Sequence, residues 1–210
     1  MPPLPVQRIP EPPTPGIYTA ASSNQLRPIA RPTMATLNFL LTRMPSPLGP
    51  ILLLSDEQQR LRALDWQGYE ARMQLLMRRQ YLRDEVVMQA HTPAHGPAAE
   101  ALAAYFDGEL KALDGLALAL GGTDFQRQVW AALRGIPAGS TRSYASLAAQ
   151  IGRPAAVRAL GMANGANPIS IVLPCHRVIG SNAALTGYAG GLPRKQWLLN
   201  HEAKHAKKPA

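Results

Sequence analysis

Apolar and polar positions along the chain change their period twice. Residues 1–33 have none: nine prolines interrupt them and few large apolar side chains occur. Such a segment cannot bury enough surface to offset the entropy of ordering it, which predicts a disordered or extended arm, with Met34 as an alternative start of the chain. From Thr36 the pattern is that of strands. Residues 36–43 and 50–55 flank the turn-rich Met44-Pro45-Ser46-Pro47-Leu48-Gly49, and 61–66 follows a polar link as a third strand. Over 69–82 the spacing becomes helical, with Met73, Leu76 and Met77 on one side and arginines on the other. A short strand over 85–90 and a helix over 97–110, striped by Leu102, Tyr105, Phe106 and Leu110, complete a small α+β domain spanning 34–118. Methionines and aromatics at this spacing read as core rather than as cofactor ligands, so no chemistry is visible in this half.

The second shift comes near Gly121-Gly122. Thr123 or Asp124 caps a helix that carries Phe125, Val129, Trp130 and Leu133 and ends before Gly135. After the breakers of Ile136-Pro137-Ala138-Gly139, a helix over 143–151 and a second over 155–164, entered through Pro154, are joined by Gly152-Arg153-Pro154. The expected fold is α+β: a small N-terminal α/β domain, then a mostly helical, winged-helix-like domain over 119–205 with a helix-turn-helix, and a tail over 206–210. In the second helix Ala155, Ala159 and Ala163 recur at every fourth position, Ala156 and Gly161 lie nearby, and only Arg158 is long and charged. Base-edge readers display several polar side chains. This helix suits either close approach to DNA, reading its shape, or tight packing on a neighbouring helix with Arg158 in solvent.

Charge sharpens the division. Composition is ordinary for a globular chain, 46% hydrophobic and 17% charged, and 210 residues hold one large or two small cores. The longest apolar runs, such as Ile51-Leu52-Leu53-Leu54, are far too short to span a bilayer, and no apolar signal core follows the N-terminus, so the cytoplasm is the expected compartment and no membrane partner is expected. Residues 1–120 balance 11 Lys/Arg against 11 Asp/Glu, whereas 121–210 carry 11 Lys/Arg against Asp124 and Glu202 alone, which places the whole +9 in the second half. A positive field confined to one domain suits a polyanion, nucleic acid first among them; a solubilising surface is the plainer alternative.

The chain has one cysteine, in Ile171-Val172-Leu173-Pro174-Cys175-His176-Arg177-Val178-Ile179-Gly180. A solitary cysteine excludes an intramolecular disulfide and any multi-cysteine zinc site. It is either a buried inert thiol or a reactive one, and the imidazole and guanidinium that follow favour the second, because basic and cationic neighbours make a thiol nucleophilic.

Further blocks stand in order around it: Phe125-Gln126-Arg127-Gln128-Val129-Trp130, Ser143-Tyr144, Arg158-Ala159-Leu160-Gly161, Ala163-Asn164-Gly165-Ala166-Asn167-Pro168, Leu185-Thr186-Gly187-Tyr188-Ala189-Gly190-Gly191, Trp197-Leu198-Leu199 and His201-Glu202. In this order and spacing the chain resembles the O6-alkylguanine-DNA alkyltransferases, the constitutive bacterial methylated-DNA–protein-cysteine methyltransferases in particular, over most of 36–202 and most densely from Thr123.

The resemblance implies a single-use repair protein. It grips double-stranded DNA bearing alkylated bases through the minor groove, flips the damaged guanine (or an alkylthymine) out, and passes the alkyl group irreversibly to Cys175. Extrusion is required on physical grounds too, since a stacked pair hides the alkylated oxygen. No cofactor and no metal are implied, and a monomer is expected, with assembly on DNA left open. On the matching positions Arg158 fills the gap left by the base, while Ala155, Ala156, Ala159 and Gly161 lie along the DNA. Tyr144 helps rotate the nucleotide and donates a proton to the guanine ring as charge develops there. His176 activates Cys175 through a bridging water, Glu202 orients the imidazole, and Asn167 buttresses the turn between the DNA helix and the reactive strand. Val178, Tyr188, Ala189 and Gly190 form a pocket wall whose small residues leave room for alkyl groups larger than methyl. For Tyr144, Asn167 and His176 a structural place in the core is the alternative. One departure is Ala183, which stands where the family usually has glycine and is strained if that position needs a positive φ. Two other classes compete: a lesion sensor, which would not need the cysteine, and a cysteine hydrolase, whose repeated turnover a thioether product cannot support.

Overall fold

The computed structural model describes residues 35–91, 96–182 and 184–206; the N-terminal arm, the expected strain at Ala183 and the tail beyond 206 lie outside the described residues. The described residues fall within one compact unit. Its first part is built on a sheet in which β1 (Thr36–Met44), β2 (Ile51–Ser55) and β3 (Leu61–Trp66) run antiparallel in succession and β4 (Glu85–Ala90) pairs parallel to β1, in the order β3-β2-β1-β4. The crossover that a parallel pair requires is α1 (Glu70–Gln80).

Both faces of this sheet are covered. Phe39, Leu52, Leu54 and Ala63 pack with Met73, Leu76 and Met77 of α1, while Ile51, Leu53, Leu64 and Trp66 join a larger cluster on the other side. The unbroken run Ile51-Leu52-Leu53-Leu54 follows from this, because a strand between two apolar layers has no polar face. α2 (Pro97–Phe106) adds Ala98, Ala99, Leu102 and Tyr105 to the larger cluster. The helix expected to reach residue 110 stops at Phe106, since Gly108 takes φ +104 and Leu110–Leu113 form a separate 3-10 turn.

α3 (Asp124–Arg134) opens with a reciprocal cap: Thr123 Oγ1 accepts from the Gln126 N–H at 3.2 Å, and Gln126 Oε1 accepts from the Thr123 N–H at 2.9 Å. Thr123, not Asp124, is therefore the capping residue. α4 (Tyr144–Gln150) is capped by Ser143, whose Oγ accepts from the Ser146 N–H at 3.0 Å. Pro154–Ala156 form a 3-10 turn, and α5 runs Val157–Gly165, against the single helix expected from 155. Trp130 of α3 donates its indole N–H to the Ala163 carbonyl at 2.9 Å and locks α5 to α3.

The 3-10 turn breaks the phase of the alanines. Ala155 is exposed, Ala159 half-buried and Ala163 buried in the core. The outward face of α5 carries Arg158, Gly165 and Met162, the last 73% exposed, so it is less bare than its alanine spacing predicts. Two short strands, β5 (Arg142–Ser143) and β6 (Val178–Ile179), pair in parallel, and α6 (Leu192–His205) ends the described chain. Composition changes near residue 119, but packing does not: Leu64, Trp66, Leu102 and Tyr105 share one cluster with Trp130, Leu133, Leu147 and Leu198.

Candidate active site

Cys175 does not lie on a strand. Beyond α5 the chain descends in consecutive tight turns. The Val172 N–H donates to the Ser170 carbonyl at 2.8 Å around Ile171, whose φ is +70. The Cys175 N–H donates to the Leu173 carbonyl at 2.7 Å around Pro174, at φ −78 and ψ 64. Both are γ-turns, and the first is the rare left-handed kind, strained further by a β-branched residue.

The surroundings hold that geometry. Leu64 of β3 donates its N–H to the Pro168 carbonyl at 2.9 Å and accepts from the Ser170 N–H at 3.2 Å. Asn167 spans the bend, with Oδ1 accepting from the Ile169 N–H at 2.9 Å and Nδ2 donating to the Leu173 carbonyl at 2.8 Å. Arg72 of α1, paired with buried Asp65 at 2.5 Å, donates to the carbonyls of Gly165 at 3.0 Å and Asn167 at 3.1 Å.

Cys175–Arg177 form a 3-10 turn, which sends successive side chains about 120° apart. The free thiol, 3% exposed, lines a cavity of about 240 Å³ with Tyr144, Gly161, Asn164, Gly165, Gly187, Tyr188 and Ala189. His176 and Arg177 both reach Glu202 of α6. His176 Nε2 lies 2.7 Å from Glu202 Oε1, Arg177 Nη2 donates to the same oxygen at 2.8 Å, and Arg177 Nε donates to Oε2 at 2.9 Å. The Tyr105 hydroxyl donates to Oε1 at 2.8 Å and the Gly139 N–H to Oε2 at 3.1 Å.

These contacts fix the protonation pattern. Burial pushes the Glu202 carboxyl up, but the hydrogen bonds and charges of His176 and Arg177 outweigh it and hold the group far below the usual carboxylate range. An ionised carboxylate only accepts, so His176 carries its proton on Nε2 and leaves Nδ1, which is buried and without a partner, as the basic atom. Burial lowers the His176 imidazole against the pull of Glu202, which keeps it neutral. Burial raises the Cys175 thiol, with Asn167 opposing, so the resting sulfur is protonated and needs a base. Burial likewise raises the Tyr144 phenol, which stays a proton donor; the Asn164 amide donates to its oxygen at 3.4 Å.

Cys175, His176, Glu202, Asn167 and Tyr144 are thus gathered around one cavity and its supporting turn. Arg158, Ala155, Ala156 and Ala159 lie away from its lining, toward the outside of the helix-turn-helix, while Gly161 lines it. Tyr188 and Ala189 line it as well, but Val178 and Gly190 do not. Val178 is buried in β6, and a Cβ on Gly190 would meet the Trp66 ring at 2.5 Å. The smallness of Gly190 serves that contact, not room for a larger alkyl group.

Sequence reasoning missed several supporting groups. Arg177 had a signal, its place beside the thiol. Gly139 read as a helix breaker, yet its N–H faces Glu202 at a φ of +77, where any Cβ would stand 2.7 Å from that of Ala206, so only glycine fits. Lys195, fully buried, donates to the carbonyls of Val178 at 2.6 Å and Thr186 at 2.8 Å and ties β6 to the segment that leads into Gly187; it stands two helical turns before Glu202 on the same face, a spacing that could have flagged it. Tyr105 and Arg72 gave no signal beyond core and surface. Among the described residues no helix is long and apolar enough to cross a membrane, and no group of three or more His, Cys, Asp or Glu is placed to hold a metal ion.

Two family models match the chain: 6-O-methylguanine DNA methyltransferase, ribonuclease-like domain, over residues 40–120, and 6-O-methylguanine DNA methyltransferase, DNA binding domain, over residues 124–204. The chain belongs to the 6-O-methylguanine DNA methyltransferase family. It is 54% identical over 166 residues to a methylated-DNA–protein-cysteine methyltransferase of Salmonella typhimurium, covering 79% of this chain and 96% of that protein. A protein of the same name from Methanosarcina barkeri is 45% identical over 161 residues, covering 75% and 92%. Among solved structures, Mycobacterium tuberculosis OGT in complex with DNA matches at 41% identity and a TM-score of 0.63, over 80% of this chain and 94% of that one.

Proposed function

We propose that this chain repairs DNA by accepting, once per molecule, the alkyl group of an O6-alkylguanine on Cys175. The observation that carries the reading is the Cys175 thiol opening on a cavity that Tyr144 also lines, with the imidazole of the next residue, His176, held by Glu202. The outward face of α5, with Arg158 and Met162, lies along the minor groove, and Arg158 takes the place of the extruded base. The Cys175 proton passes to His176 Nδ1 through a water, and sulfur attacks the alkyl carbon. The carbon–oxygen bond breaks, its electron pair goes to the guanine, and Tyr144 donates a proton to the ring where the charge gathers. A thioether has no acyl bond to hydrolyse, so the thiol is not regenerated. The protein acts as a monomer, with no metal and no cofactor.

Incubation with a duplex carrying one O6-methylguanine is expected to add one methyl to the intact protein, located on Cys175 by peptide mass spectrometry. Cys175→Ala abolishes transfer and retains DNA affinity, because grip and chemistry sit on different residues. The single-turnover rate stays flat between about pH 7 and 9 if His176 takes the proton; a reaction through free thiolate climbs about tenfold per unit over that range. A parent protein that binds the duplex and gains no methyl refutes the reading.

A further inference from the structure

We propose that Tyr105 is a positioning residue for the reactive thiol: its hydroxyl shares Glu202 Oε1 with the His176 imidazole and so sets how much of the carboxylate's negative charge reaches that ring. The inference rests on the transfer to Cys175 proposed above. Tyr105 sits on α2, in the part of the chain that contributes no reactive group, and its side chain is fully buried with the hydroxyl 2.8 Å from Oε1. Its place is fixed independently of that bond. The His201 Nε2 lies 2.8 Å from its carbonyl, and its ring packs against Phe106 at 5.5 Å and His201 at 5.2 Å between centroids.

The two oxygens of Glu202 are loaded differently. Arg177 grips both, through Nη2 on Oε1 and Nε on Oε2, and Gly139 adds its N–H to Oε2. Tyr105 adds its proton to Oε1, the oxygen His176 faces. Each donor on Oε1 draws charge away from the imidazole and leaves the protonated ring less stabilised. Burial and the charge of Glu202 push the Tyr105 phenol far above its ordinary value, so it remains a donor throughout the working range.

The charged and titratable groups facing His176 and Glu202 are Cys175 and Arg177 on the same turn, Lys195 on α6, Tyr105 and its neighbour His201, and Tyr188, edge-on to the imidazole at 6.4 Å. None of them replaces the phenol: Lys195 is committed to two carbonyls and Arg177 already bridges both oxygens.

Without the Tyr105 donor, Oε1 presents more charge to His176, the imidazolium is stabilised, and His176 titrates at a higher pH. In Tyr105→Phe the acid limb of the single-turnover transfer rate is expected to move up by about half to one pH unit. The DNA-free alkylation of Cys175 by iodoacetamide shifts in the same direction, the imidazole N–H resonance of His176 moves, and the DNA Kd is unchanged. Replacing Tyr105 site-specifically by a fluorotyrosine, a stronger donor of the same shape, moves both limbs the opposite way and covers the case in which the phenylalanine variant folds poorly. Limbs that superimpose on the parent in both variants, with only a lower Tm, overturn the proposal. A parent that reacts with iodoacetamide but takes no methyl from DNA refutes the transfer reading instead, and the iodoacetamide limbs still decide the role of Tyr105.

Discussion

The sheet part and the helical part of the compact unit both surround Cys175, yet they contribute groups of opposite kinds. The helical part holds the thiol, the His176 imidazole and the Tyr144 phenol, and carries the exposed Arg158 on the outward face of α5. The sheet part supplies what holds. The Leu64 main chain pins the descending turns, Arg72 grips two of their carbonyls, Tyr105 loads Glu202, and Trp66 presses on Gly190. All the excess positive charge lies in the first group of residues and none in the second. The excess positive charge therefore lies in the half that the DNA binding domain model matches, while the turn that carries Cys175 is held largely by a part, residues 34–120, in which 8 Lys/Arg stand against 10 Asp/Glu.

Substitutions on each side test that division. The largest effect is expected from Glu202→Gln, which leaves Arg177 buried without its counter-charge and costs about 3–5 kcal/mol. It slows transfer at least about 100-fold in a single-turnover assay. The native carboxyl titrates below its ordinary 4.5, so its contribution is full above that pH and is lost as pH falls further. Thermal melts from about pH 5 to 3 should show a steep decline in the parent and a flatter one in Glu202→Gln.

Next comes Arg72→Met, which strands Asp65, 1% exposed, and releases the carbonyls of Gly165 and Asn167. A loss of about 2–4 kcal/mol is expected in denaturant titration, with transfer slowed about tenfold at unchanged DNA affinity. If the rate holds while stability drops, the sheet part is scaffold and the division fails. The smallest effect belongs to Gly190→Ala, where a new methyl meets the Trp66 ring and costs about 1–3 kcal/mol. An unchanged Tm together with slower transfer of bulky alkyl groups would return Gly190 to the pocket wall.

The same division explains what could be read from the chain alone. Local rules sufficed wherever a residue's neighbours in sequence are its partners in space. The cap of α3, which the sequence places at Thr123 or Asp124 and which closes on Gln126, belongs to this class. Glu202 was reached only through the order of the motifs. Tyr105 escaped because a helix stripe shows that a side chain is buried, not that its far end meets a carboxylate 97 residues away. Arg72 escaped because its targets are main-chain carbonyls, which carry no side-chain signature. The alanine stripe misled for a different reason: helical spacing assumes one continuous helix, and the turn at Pro154–Ala156 resets the phase.

The paired γ-turns at Ile171 and Pro174 have a consequence for the length of this segment. Each closes a hydrogen bond over three residues, the tightest loop a backbone can make, so the stretch from the Leu64 anchor to the sulfur has no slack. It acts as a gauge block: one residue inserted or removed between Asn167 and Cys175 rotates the sulfur out of the cavity, whichever residue is chosen.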